Sequence, residues 1–577
     1  MTTREKVMRI RKRVMIHLGA TEKTTKSSIY YRQLWPQDDG FTLQRVNGDL
    51  FLVGGNPRGT LIGVYRLLEM LGVVFLAPNF DYYDRKGGAE FIPHKQTIQL
   101  DGKNLGVHRP AFPLRPKDVG EGGSHKLESM LALVDWMPKA GHNVFRCPSK
   151  ATDPHFTSWD KWRATLIPEL RKRGLLLQVG QHGFQNYLGT RRYYRNHPEW
   201  FGLIGNRRVT AEEAVFCTTN QEALKVFISN MMDYLSAHPE LDIFDLWPPD
   251  NVPWCACPNC RAVGSESERY ARLLALARRA MQQSAPKTRL GASAYMQYTD
   301  LPEETIIPSD VLLDFCPILR EYEHRINDVV SSLNRTQYWK KLMRWLEHWK
   351  GEIQIYEYFT KYRFRSYPIV MPHLIAEELA LYKTSNVSGI SSYSEPDSWL
   401  AYEISHRMIS RCSWDGIVRV EEELMRWATA RVGSTQAKKL VEVIETLEGS
   451  LRRLYSAKYG FHTVCLGGKV TNKKQVVKCL QDLSRAHHLL GEIVTNLEGG
   501  SKEWVTQSIR SLEFTMADIG VQLSWDNKGE KLKRALKKYH RALQPSIDLD
   551  GVLHTCIEYS RDDLMSHYDA VPLRSHW

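Results

Sequence analysis

Between Trp247 and Cys260 the chain reads WPPDNVPWCACPNC, so that Asp250 and Asn251 stand directly before three cysteines at C-x-C-x-x-C spacing. Two chemistries are open to this stretch. A carboxylate flanked by aromatic rings suits proton transfer on a sugar, because sugars stack on aromatic faces and glycosidic bonds break under a pair of carboxyl groups. Closely spaced thiols suit a soft metal. Cys255, Cys257 and Cys260 are one ligand short of a tetrahedral zinc site, and Cys217 in VFCTTN is the nearest cysteine upstream that would complete it. Reduced thiols packing a loop are the competing reading. A zinc ribbon would need a second C-x-x-C, and a redox role would need a thioredoxin-like unit around the motif.

Two further carboxylates share the aromatic setting: Glu357 in YEYF and Glu395 in SYSEPD, with Trp399 close behind the second. Taken singly, each of the three reads more readily as a helix cap or an ion pair. Together, at successive strand ends, they describe a hydrolytic set in which Glu357 is the acid or base and Asp250 or Glu395 its partner. Candidate substrate contacts are Arg146, Gln181, His182, Asn251, Tyr295, Arg320 and Trp399. Arg146 and Arg320 suit a carboxylate-bearing sugar, since guanidinium grips carboxylate in two places, with salt bridges as the alternative. His182 fits either a sugar hydroxyl or a structural hydrogen bond. No cofactor is expected for catalysis.

These residues must be positioned by the elements between them. Short apolar runs at 142–147, 175–180, 242–247, 289–296, 311–318, 352–359 and 387–394 alternate with helical stretches at 221–236, 266–283, 335–350 and 372–383. The alternation predicts a (β/α)8 TIM-like barrel with one strand irregular or missed, and its active face lies at the C-terminal strand ends. Before it, FTLQRVNGDLFLVGG predicts a hairpin around Asn47-Gly48. Asn56 and Pro57 then start a helix whose inner face is Leu61, Val64, Tyr65, Leu68 and Leu71, closed by Gly72. Beyond residue 399 helical stretches dominate, at 418–433, 435–457, 473–497 and 502–520. The expected organisation is a small α+β domain (1–105), a catalytic β/α barrel (106–398) and a helical domain (399–577).

The 577 residues carry 42% hydrophobic and 25% charged side chains, and no apolar run approaches the roughly 20 residues of a membrane helix. The N-terminus lacks a secretory signal, which points to the cytoplasm and to an imported glycoside as substrate. Ten cysteines are too sparse for a disulfide scaffold. The net charge of +13 admits an anionic partner, but the basic residues are dispersed. The densest stretch, 527–541, reads as an amphipathic helix with a solvated face. A carbohydrate partner is therefore preferred to nucleic acid, with a sugar-binding barrel without turnover as the second reading and a zinc-dependent nucleic-acid binder as the third. Homo-oligomerisation stays open.

The segments NPRGTLIGVYRLLEMLGVVFLAP, PPDNVPWCACPNC, YEYF and GISSYSEPDSW resemble the bacterial family known as domain of unknown function 4838, over about residues 45–430. Its layout is similar to that of α-glucuronidases and β-N-acetylhexosaminidases. The resemblance implies a glycoside hydrolase acting on an acidic or amino sugar, with a small α/β domain before the barrel and a helical domain after it. Hexosaminidases that use the substrate's acetamido group carry an Asp-Glu pair at a strand end, whereas here Asn251 follows Asp250. The N-terminal domain is also short by comparison.

Overall fold

The structure is a computed structural model that describes residues 14–26, 39–79, 89–94, 105–118, 127–148, 159–285, 287–359, 370–393, 399–456 and 472–524, with isolated positions at 102, 531, 534, 535, 537 and 538. Most of the basic stretch 527–541 lies outside them. In the N-terminal unit, β1 (Ile16–Leu18), β2 (Phe41–Val46), β3 (Asp49–Gly54) and, later in the chain, Gly106–His108 form a sheet. The predicted hairpin joins β2 to β3, with Asn47 and Gly48 both at positive φ (52° and 92°) as a type I′ turn requires. β1, which carries no sequence signal of its own, adds in parallel to β3.

Helix Pro57–Met70 starts where expected: the Asn56 side chain accepts from the Gly59 N–H at 2.7 Å. Its buried face is different, however. Gly59, Ile62, Gly63, Arg66, Leu67 and Glu69 are buried, while Leu61, Val64, Tyr65, Leu68 and Leu71 are half-buried. The helix is covered on two sides, by the sheet and by helix Trp399–Asp415, where Arg66 meets Asp415 at 2.7 Å and Arg411 meets Glu69 at 3.0 Å. Charged groups are buried here because they are paired, which an apolar stripe cannot reveal. β4 (Val74–Phe75) and β5 (Glu90–Phe91) form a short ribbon, and Gly106–His108 is β6. Asp39 ties this unit to the barrel by accepting from Arg58 (2.6 Å), Asn143 (2.8 Å) and Arg115. Burial would raise its pKa, but Arg115 and Arg58 outweigh this and hold it below the usual range.

Eight parallel strands follow: β7 (Pro116–Asp118), β8 (Val144–Pro148), β9 (Leu176–Gly180), then, after a small hairpin of β10 (Leu203–Ile204) and β11 (Arg207–Arg208), β12 (Ile243–Asp245), β13 (Arg289–Ala294), β14 (Leu312–Phe315), β15 (Glu352–Glu357) and β16 (Gly389–Ser392). Each pairs with its neighbour in order. The ends close through Leu114, whose N–H donates to Ser388 and whose carbonyl accepts from Ile390. The result is the expected (β/α)8 barrel. Its eighth strand is β7, absent from the sequence reading. Helices Gln221–Ala237, Glu266–Ser284 and Pro372–Thr384 fall within two residues of the expected ranges, and Asn334–Trp339 with Lys340–His348 fills the fourth.

Alternate strand residues point inward, so the interior is layered. Leu114, Val144, Leu176, Ile243 and Leu312 make an apolar floor. Two residues higher on their strands stand Arg146, Gln178, Asp245 and Asp314, all buried. Gly180, at φ 145°, lets β9 approach β12: an added Cβ would lie 2.0 Å from the Asp245 carbonyl oxygen. Helices Trp399–Asp415, Val420–Ser456 (broken at Gly433), Lys473–Val494 and Gly499–Ser524 complete the described chain. No helix among the described residues is long and apolar enough to cross a membrane.

Candidate active site at the barrel mouth

The interior polar layer centres on Arg146, which donates to Asp314 at 2.6 Å and Ser391 at 3.3 Å and lies 3.6 Å from Asp245. Its guanidinium sits beneath the Trp247 and Tyr356 rings at 5.5 and 5.2 Å. Two carboxylates sharing one cation in a dry interior cannot both ionise freely. Burial, opposed by Arg146 and reinforced by Asp314, pushes the Asp245 carboxyl up to about 7, and burial raises Asp314 as well. The expectation that Arg146 grips a substrate carboxylate is corrected: it is wholly buried and committed to the chain's own aspartates.

Above this layer the mouth is aromatic. Trp247 and Tyr356 meet edge to face at 5.7 Å, Tyr356 and Tyr358 at 5.2 Å, and Tyr358 and Tyr393 stack at 6.1 Å. Asp118, at the end of β7, accepts from the Tyr356 hydroxyl (2.7 Å) and from Gln181 (2.9 Å). Asp250 is exposed and accepts from the Tyr295 hydroxyl at 2.9 Å, with Asn251 donating to its other oxygen at 3.1 Å. Burial, and then the Asp250 carboxylate, raise the Tyr295 phenol, which therefore stays a donor. The His182 ring lies 5.3 Å from Trp247 and 5.5 Å from Tyr295, and its Nδ1 is bonded to the Pro248 carbonyl. A carbonyl only accepts, so Nδ1 carries a proton, and in the neutral tautomer this fixes, Nε2 is the acceptor. The structure thus brings Asp250, Asn251, His182, Tyr295 and Gln181 together.

Glu357 and Arg320 are elsewhere. Gln354 and Tyr356 face the interior, so alternation turns Glu357 outward, between the barrel wall and helix Pro372–Thr384. Its carboxylate is fully buried and accepts from Arg320 (2.7 Å), Tyr322 (2.8 Å) and Tyr382. Arg320 also pairs with Glu378, whose carboxyl is pushed up to about 7 by burial against the pull of Arg320. The expectation that Glu357 works in the cavity and that Arg320 meets substrate is corrected accordingly: both are committed to partners within the protein. Glu395 lies outside the described residues, as does the Trp399 side chain, although residue 399 opens a helix. Asp118, Asp245 and Asp314 escape the sequence reading, and Tyr356 enters it only as an aromatic neighbour of Glu357. The signal for Asp245 and Asp314 is an aspartate standing inside an otherwise apolar strand; Asp118 has no such signal, because β7 is not an apolar run.

The cysteines converge as predicted. Cys217 comes from the stretch between β11 and helix Gln221–Ala237, Cys255 and Cys257 from the loop after β12, and Cys260 from the short helix Pro258–Val263 that follows it. All four are buried, with ligand atoms within 4.8 Å of one another.

A model of the family described as "Domain of unknown function (DUF4838)" matches residues 87–444. Among curated proteins none matches the sequence. Solved structures with a similar fold include a family 138 glycoside hydrolase targeting pectin rhamnogalacturonan II, at 9% identity and TM-score 0.54, covering 96% of this chain and 91% of that one. The family 89 glycoside hydrolase from Clostridium perfringens in complex with PUGNAc aligns at 11% identity and TM-score 0.50 over 89% of this chain, which spans 62% of that one. The same enzyme, as a variant with two glutamates replaced by glutamine and in complex with GlcNAc-alpha-1,4-galactose, aligns at 11% identity and TM-score 0.51, with 89% and 61% covered.

Proposed function

The chain belongs to the DUF4838 family and folds as glycoside hydrolases do; on that premise we propose that it hydrolyses a glycosidic bond, with Asp250 exchanging the proton at the glycosidic oxygen. The observation that carries the reading is the placement of Asp250 in the loop beyond β12, on the C-terminal face of the barrel, exposed, hydrogen-bonded by Tyr295 and set beside the aromatic mouth. Tyr295 and Asn251 orient the carboxyl, and His182 offers Nε2 to a sugar hydroxyl. The partner carboxylate is sought at Asp118, inside the mouth, and at Glu395, which follows β16 in the sequence and lies outside the described residues. Of the two substrate classes expected, amino sugars fit better than uronic acids. Arg146 and Arg320, the cations that would have gripped a sugar carboxylate, are already neutralised, and the Clostridium perfringens neighbour is in complex with GlcNAc-alpha-1,4-galactose.

The test is turnover on aryl glycosides of N-acetylated amino sugars and of uronic acids, paired with calorimetric binding. Asp250→Asn is expected to lower kcat by about 10²–10⁴-fold while the sugar still binds, because general acid–base catalysis contributes that much. Undiminished turnover in Asp250→Asn removes Asp250 from the mechanism. Asp118→Asn and Glu395→Gln identify the partner, and Glu357→Gln is expected to act through stability. A second reading, sugar binding without hydrolysis, is favoured by the outward orientation of Glu357; binding across the panel with no turnover in the unmodified protein would establish it.

A further inference from the structure

The cysteine cluster plays no part in proton transfer, yet it joins the long segment between β9 and helix Gln221–Ala237, which opens with His182, to the segment after β12 that carries Asp250. Four sulfurs arranged around a zinc ion at about 2.3 Å stand about 3.8 Å apart. Here Cys217 Sγ lies 3.6 Å from Cys257 Sγ and 3.7 Å from Cys260 Sγ. Disulfides are excluded by those separations, since a bonded pair lies near 2.05 Å, and the described cysteines are all free thiols. The surroundings are those of a thiolate centre. The Leu203 N–H donates to Cys255 Sγ at 3.3 Å and the Cys260 N–H to Cys257 Sγ at 3.4 Å. Arg208 Nη1 reaches Cys255 Sγ at 3.8 Å, and Thr219 Oγ1 lies 3.3 Å from Cys260 Sγ. Donors of this kind offset the charge that four thiolates would concentrate.

We infer that Cys217, Cys255, Cys257 and Cys260 bind one zinc ion, and that this ion clasps the loops after β9 and β12 and so holds Asp250 at the barrel mouth. Binding replaces the thiol protons, which pass to solvent. The clasp works through short links. Asp250 and Cys255 stand on the same short loop. On the other loop Cys217 is held by its N–H to Trp200 (2.9 Å), and backbone bonds from Val215 to Pro253 (2.9 Å) and from Ala256 to Leu203 (2.8 Å) stitch the two loops on either side of the sulfurs. Apolar support is thin here: among the described residues, Leu203 is the one partly buried hydrophobic side chain packed against the four cysteines. The metal would supply the cohesion that a core supplies elsewhere. Four thiolates select zinc or iron over harder cations, and a closed four-ligand site that holds loops together is the structural role zinc fills without redox change. The positioning role rests on the hydrolase reading; the metal site does not.

The experiment is metal analysis of the full chain purified under reducing conditions, followed by release of the metal with a mercurial reagent while hydrogen exchange is followed across 203–217 and 246–260. One zinc per chain is expected, with thiolate-to-cobalt charge-transfer bands after cobalt exchange. Loss of metal should speed exchange in both loops. Cys260→Ser should bind no zinc. Should that variant fail to fold, release from the unmodified chain decides the matter by itself. A chain that takes up no zinc(II) in the presence of reductant overturns the site, and iron in its place overturns the metal assignment. Unchanged exchange on release overturns the clasp. None of these readouts depends on turnover, so a protein without hydrolase activity still tests the site.

Discussion

Asp245→Asn isolates the electrostatics of the barrel interior. The Asp245 carboxyl is buried, accepts two bonds from Gln178 (2.9 and 3.1 Å), and shares Arg146 with Asp314. Its pKa stands at about 7 in the folded protein against 3.8 ordinarily. Between those values the native state keeps a proton that the unfolded chain has released, so stability falls as pH rises through the window. The slope is about 1.4 kcal/mol per pH unit, which accumulates to about 4 kcal/mol by pH 7. Asparagine carries no charge at any pH. It also matches the protein's existing hydrogen-bond supply: among the described residues Gln178 Oε1 has no partner, and a turned Gln178 amide accepts from the new side-chain NH₂. The variant should therefore gain on the unmodified protein steadily from acid to neutral pH. Urea titrations followed by tryptophan fluorescence, at pH values spaced across the window, measure the difference directly. Two stability profiles that run parallel from about pH 4 to 8 would refute the reasoning, whatever their vertical offset.

The remaining predictions concern stability elsewhere. Glu69 has the opposite sign: burial would raise it, but Arg66, Arg411, Arg407 and Arg426 together bring it down to about 2 from 4.5. It contributes about 3 kcal/mol above its ordinary pKa, lost as pH falls toward about 2; Glu69→Gln should lower Tm at neutral pH, with the deficit shrinking in acid, and a pH-independent deficit would contradict the assignment. Gly180→Ala places a Cβ 2.0 Å from the Asp245 carbonyl oxygen at a backbone angle side chains rarely adopt. It should destabilise by about 3 kcal/mol or more, and an unchanged Tm would show that the strands can part at no cost.

Much of the barrel is legible because its strands are uninterrupted apolar runs, a pattern that parallel strands buried on both faces must have. β7 is not. Pro116, Lys117 and Asp118 form no apolar run, yet all three are buried, since Lys117 pairs with His406 (3.1 Å) on the outer side and Asp118 with Tyr356 and Gln181 within. The C-x-C-x-x-C spacing and one upstream cysteine suffice to name the candidate metal-ligand set, because three of the four sulfurs lie close together along the chain. Asp250 is found by its position after a strand.

Local periodicity and spacing, then, dictate the strands of the barrel apart from β7, the cap of the first long helix, the Asn-Gly hairpin and the cysteine group. Which charges are free to act is a property of the assembled fold. Arg146, Arg320 and Glu357 read as reactive groups in one dimension. In three they are matched, because a charge taken into a dry interior is stable only beside its opposite or within a full set of hydrogen bonds. Those partners, among them Asp314, Glu378, Tyr322 and Tyr382, come from elements far along the chain. Strand parity, one residue either way, turns Glu357 away from the cavity and Tyr356 into it, and no pattern within YEYF says which side the cavity is on.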